Sequence, residues 1–158
     1  MTGIFKADDV FQMAMHLEQV GQSFYQDIAQ AASVQEVAEL CTRLAAMEAE
    51  HYKLFQRMRE EMVRPIEIRH LGVDERAFID ALLADKVALD IEQAKQLAAQ
   101  GKLAPVLDMA IQMEKDSVLF YSGMLSAVSE TDAESINKII AEEKSHVREL
   151  VSAKQDLK

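Results

Sequence analysis

Hydrophobic side chains recur every three to four residues along four stretches of this chain, and the spacing breaks down between them. Phe11, Ala14, Met15, Gly21, Tyr25 and Ile28 share one stripe of the first stretch, which predicts a helix over about 8–31. Val37, Leu40, Leu44, Phe55, Met58 and Met62 mark a second helix, about 34–62, whose end is limited by Pro65. Ser33 and Glu36 stand at its start with capping-box spacing. A third, about 104–128, opens near Pro105, a residue suited to a first helical turn, and runs through Leu107, Ala110, Ile111, Val118, Tyr121 and Leu125. The fourth, about 132–155, follows Thr131 and Glu134, which repeat the capping-box spacing. Ile136, Ile139, Ile140, Val147, Leu150 and Val151 supply its apolar side. No alternating, strand-like run appears.

The connections at Ala32–Ser33 and Ser129–Thr131 are short, so each flanking pair of helices should form an antiparallel hairpin. Residues 64–102 join the hairpins. Within them Asp74 is placed to cap a short helix through Ala77–Leu83, and Ile91–Ala99 reads as another, stopped by Gly101. The expected fold is all-α: a single domain over 1–158, a four-helix bundle of two antiparallel hairpins joined by a long, partly helical crossover.

The hairpins also resemble each other. Met13, Ala14, Glu18, Phe24 and Tyr25 align without a gap on Met109, Ala110, Glu114, Phe120 and Tyr121, and Glu48–His51 has its counterpart in Glu143–His146. Internal duplication and pseudo-twofold symmetry follow.

Composition narrows the function classes. A formal net charge of −10 repels phosphate backbones and anionic membranes, so neither nucleic acid nor a membrane surface is an expected partner. The first residues lack the apolar core of a signal peptide and no run approaches bilayer length, which makes the cytoplasm the expected location. The single cysteine, Cys41, excludes an internal disulfide and a four-thiolate metal centre, and its place beside Leu40 and Leu44 suits a buried, inert thiol.

The chemistry lies in acids that the stripes should bury. Glu18 sits in line with Ala14 and Gly21, and Glu114 with Ala110, Ile111, Val118 and Tyr121. Glu48 and His51 lie between Leu44 and Phe55, and Glu143 and His146 continue the stripe of Ile139 and Ile140 toward Leu150. Four carboxylates in an apolar core repel one another and must be neutralised. No Lys or Arg occupies the matching positions, whereas two divalent cations would meet the need. One glutamate from each of two helices and a Glu-x-x-His from each of the others is the ligand set of di-iron carboxylate bundles. Oxygen and imidazole donors suit iron or manganese.

Nearby groups carry less. Glu67–His70 has the motif spacing but no apolar stripe and no duplicate, so it reads as a surface coincidence. His16 is rotated off the face of Glu18, and Glu142, four before His146, loses to Glu143 because Glu48–His51 uses spacing three. Tyr25 and Tyr121 read as core tyrosines, with hydrogen bonds to the acids as the alternative.

On these residues the chain resembles the rubrerythrin group of the ferritin-like superfamily over nearly its whole length. The resemblance implies two iron ions (manganese or zinc as substitutes) bridged by Glu48 and Glu143, with Glu18 and His51, and Glu114 and His146, as terminal ligands. It further implies reduction of hydrogen peroxide or dioxygen, an external redox donor protein, and a homodimer. Iron oxidation and storage, as in ferritins, and a non-catalytic metal-stabilised bundle are the alternatives. The chain departs from the family pattern twice. It lacks the cysteines of an appended rubredoxin-like domain, and Ser117 stands where rubrerythrins carry a further glutamate.

Overall fold

The computed structural model describes residues 7–62, 77, 81 and 90–157, and among these every regular element is helical. The first helix, α1 (Ala7–Ala31), places Asp8 and Asp9 in its first turn, where negative charge favours the exposed backbone N–H groups. A three-residue turn leads into α2 (Gln35–Glu61). After the crossover come α3 (Ile91–Ala99), α4 (Leu103–Met124) with a 3-10 turn over Leu125–Ala127, and α5 (Glu130–Asp156). Packing is heaviest between α1 and α2 and between α4 and α5, the two expected hairpins.

The helix boundaries follow local chemistry. At α2 the Ser33–Glu36 capping box does not form: Val34, extended at φ −97° and ψ 118°, takes the cap position without any side-chain bond. At α5 the cap lies two residues before Thr131. There Ser129 Oγ accepts from the Asp132 amide at 3.1 Å and donates to the Asp132 carboxylate at 2.8 Å. That pairing satisfies an amide the helix cannot, and α5 starts earlier than expected. Helix α4 gives way to the 3-10 turn after Met124, where the sequence predicts a helix continuing to 128.

Helix α3 agrees with the sequence to the residue. Asp90 accepts from the Gln93 amide at 2.9 Å, and Gly101, at φ +74°, ends the helix with Lys102 N–H bonded to Leu97 O at 2.9 Å. Only a residue without Cβ takes that φ cheaply. Ala94 and Ala98, both fully buried, set α3 against α1 and α4. Ala77 and Ala81 are helical, but the rest of 77–83, with Asp74, Glu67 and His70, lies outside the described residues.

Two apolar clusters fill the bundle. One gathers Phe24, Ile28, Leu40, Leu44, Leu107 and Leu150, with Ala94 and Ala98 of α3 beside them. The other gathers Phe11, Phe55, Met58, Phe120, Ile136 and Ile139. Along every long helix the stripe passes from one cluster to the other through a polar interruption, and those interruptions coincide at mid-height. Val151, expected on the apolar side of α5, is 38% exposed, because it lies just outside the arc covered by α2 and α4.

Candidate metal centre

Helix register brings the six predicted residues together. Glu18 comes from α1, Glu48 and His51 from α2, Glu114 from α4, and Glu143 and His146 from α5. All are between 0 and 5% exposed, which for four carboxylates is a large desolvation cost unless cations meet them. One ligand atom from each of Glu18, Glu48, His51 and Glu143 lies within 4.8 Å of the others, and the same holds for Glu48, Glu114, Glu143 and His146. Glu48 and Glu143 belong to both groups.

The contacts between them are close and incompletely satisfied. His51 Nδ1 is 2.8 Å from Glu143 Oε1 and 3.5 Å from Glu18 Oε2. His146 Nδ1 is 3.2 Å from Glu143 Oε2, 3.5 Å from Glu48 Oε1 and 3.7 Å from Glu114 Oε1. The imidazole rings lie 20° from parallel with centroids 5.9 Å apart. Among the described residues Glu18 Oε2, Glu48 Oε1, Glu143 Oε1 and His51 Nδ1 are buried without a well-aligned hydrogen bond, and all four belong to the converging groups. Among the described residues no Lys or Arg pairs with any of the four acids. Orphaned carboxylate oxygens and imidazole nitrogens converging with no Lys or Arg among the described residues beside them are the donor set that cations fit.

Without cations, protons must do that work. Burial, reinforced by Glu18, Glu114 and Glu143, raises the Glu48 carboxyl well above its ordinary value. Burial and Glu143 push Glu114 up to about 8. Burial acts to lower both imidazoles, but the carboxylates outweigh it: Glu143 and Glu18 take His51 up to about 11, and Glu114 and Glu143 take His146 up to about 9. Glu143 moves the other way. Burial would raise it, yet Glu114, His146 and His51 all point donors at it and hold it far below the carboxylate range.

Surrounding groups complete the arrangement. Tyr25 O–H donates to Glu114 and Tyr121 O–H donates to Glu18, each from one hairpin to the other. Core tyrosines was the expectation; they are buried, and they also fix the two acids. Their repetition in both hairpins, seven residues after each acid, was the available signal. Glu142, expected to be displaced by Glu143, faces outward and holds His51 Nε2 at 2.7 Å. Gly21 is where Glu48 needs space: a Cβ there would meet Glu48 Oε2 at 2.9 Å. Its repeat mate is Ser117, whose hydroxyl instead donates to Met113 O at 3.2 Å. His16 is exposed and away from the cluster. Cys41 is buried, and burial pushes its thiol up to about 12, as suits an inert packing group.

Two helical hairpins that close over buried carboxylates and histidines define the ferritin-like class. Within it, the chain belongs to the rubrerythrin family, whose profile matches residues 9–154. It is similar to a protein of known structure from Thermotoga maritima, described as a candidate ferritin-like diiron-carboxylate protein, at 25% identity and a TM-score of 0.77, with all of both chains covered. Among curated proteins none matches significantly. No helix among the described residues is long and apolar enough to cross a membrane.

Proposed function

We propose that the six residues hold two iron ions and that the protein reduces hydrogen peroxide or dioxygen with electrons from an external donor protein. Glu48 and Glu143, which belong to both groups of converging ligand atoms, would help hold both ions, Glu18 and His51 would hold one, and Glu114 and His146 the other. The observation that carries this reading is the convergence of unpartnered carboxylate and imidazole atoms in a dry centre. Two divalent ions balance four carboxylates, and imidazole with carboxylate suits iron or manganese. Bound iron would supply one-electron steps between ferrous and ferric states and a Lewis-acidic face for the oxidant.

The chain's own groups do the rest. Tyr25 and Tyr121 orient the terminal acids, so that Glu114 and Glu18 present fixed oxygens to the centre. Gly21, lacking a Cβ, leaves clear the space against which the Glu48 carboxylate rests. The two apolar clusters keep bulk water from the site, which strengthens every charge interaction inside it. Reducing one peroxide to two waters consumes two electrons and two protons, and this chain, with one cysteine, has no four-thiolate iron to provide the electrons.

Anaerobic purification followed by metal analysis should give two iron atoms per chain. Mixing the ferrous protein with peroxide should then oxidise it far faster than buffer does. Equal rates reject peroxide reduction. Ser117, in place of a further acid, weighs against peroxide reduction; iron oxidation feeding a store is the second reading, which a multi-subunit shell on sizing would support and a dimer would count against.

A further inference from the structure

Where the two hairpins carry the same ligands, the groups behind those ligands differ. Each imidazole turns Nδ1 toward the acids. A neutral imidazole that gives one nitrogen to a metal carries its proton on the other, so in each histidine Nε2–H needs an acceptor. His51 has one: Glu142 Oε2 at 2.7 Å, reaching across from α5. His146 has none. Its Nε2 is buried and lacks a hydrogen-bond partner. The residue related to Glu142 by the internal repeat, one before the motif glutamate of α2, is Met47, a thioether that accepts hydrogen bonds only weakly.

We infer that the two metal positions are unequal, and that Glu142 is a positioning residue that makes the one containing His51 the tighter. This rests on the reading of the six residues as ligands and extends it to the order in which they fill. A carboxylate on Nε2–H fixes the ring and its tautomer and makes Nδ1 a better donor. An orphaned Nε2–H leaves His146 free to tilt and carries a desolvation cost. Loss of such a partner ordinarily lowers metal affinity by about 10–100-fold, which sets the expected gap between the positions. Glu142 is half-exposed, so the effect should lie toward the lower end.

Cobalt(II) titration of the metal-free full-length chain against a competing chelator tests this, with absorption reporting each step. Two steps about tenfold or more apart are expected. Crystals grown with one equivalent of cobalt should show anomalous signal among Glu18, His51 and Glu143. Glu142→Leu should weaken the first step alone until it approaches the second. Glu142→Gln, which keeps an acceptor oxygen, should recover part of the loss, and Met47→Glu should tighten the second step. Two cobalt ions bound with one common affinity, or Glu142→Leu weakening both steps by the same factor, would overturn the inference and leave the two-metal reading intact. No binding at all would overturn both.

Discussion

The two hairpins are near-copies in what they send to the centre and differ in what surrounds it. Both supply one glutamate, one Glu-x-x-His and one tyrosine. Yet α1 has Gly21 where α4 has Ser117, and α2 has Met47 where α5 has Glu142. On the reading of the shared residues as metal ligands, they would set which ions the centre takes, and the unshared ones how each half behaves. Near-identical ligands would then bind with unequal affinity, just as the two imidazoles differ in how strongly they hold a proton.

The largest expected effect comes from breaking the symmetry at its shared members. Glu143→Ala should abolish binding at both positions, whereas Glu18→Ala should spare one; metal content after gel filtration distinguishes them. The loss in each case should exceed the roughly 10–100-fold typical of changes one bond removed from a metal.

Proton binding separates the hairpins next. In the metal-free protein both imidazoles are raised above 6.5, so their stabilisation is full below that pH and is lost as pH climbs through about 9 for His146 and about 11 for His51. Glu114, raised from 4.5 to about 8, acts in the same direction. The unfolding temperature of the metal-free protein should therefore fall between pH 6.5 and 9, and NMR should show His146 deprotonating before His51. Loading with metal replaces those protons and should flatten the fall. A rise in the metal-free protein would contradict the assignment.

Smaller effects sharpen the comparison. Tyr25→Phe and Tyr121→Phe each remove one buried bond to an acid and should cost about 1–3 kcal/mol in chemical denaturation. The two values should agree, since these tyrosines are true mates. Smallest of all, Ser117→Ala should change stability by less than about 0.5 kcal/mol. Gly21→Ala is different in kind. Helix propensity alone would favour Ala by about 1 kcal/mol, but its Cβ presses on the Glu48 carboxylate, so metal affinity should drop.

The four long helices, the hairpin order and the place of α3 were legible because they depend on apolar periodicity and on Gly101, which act over a few residues. The six polar residues were legible because the duplication repeats them on buried stripes. Helix starts were less so. Ser33 and Thr131 have the right spacing, but a cap is decided by the backbone angles before the helix, and Val34 and Ser129 take the position instead. Glu142 was harder still. Its role depends on α5 lying against α2, a relation between distant segments, and its own helix made it look like a rival of Glu143. The same holds for Gly21, whose meaning is the position of a side chain on another helix.

The crossed tyrosine bonds carry a consequence for origin. Each tyrosine serves an acid in the opposite half, and His51 and its supporting Glu142 come from different halves as well. A single hairpin of this design would be incomplete in solitude, and a half-length ancestor could have worked only by self-pairing. Within one chain the halves are free to differ, as Met47 and Glu142 do at matching positions.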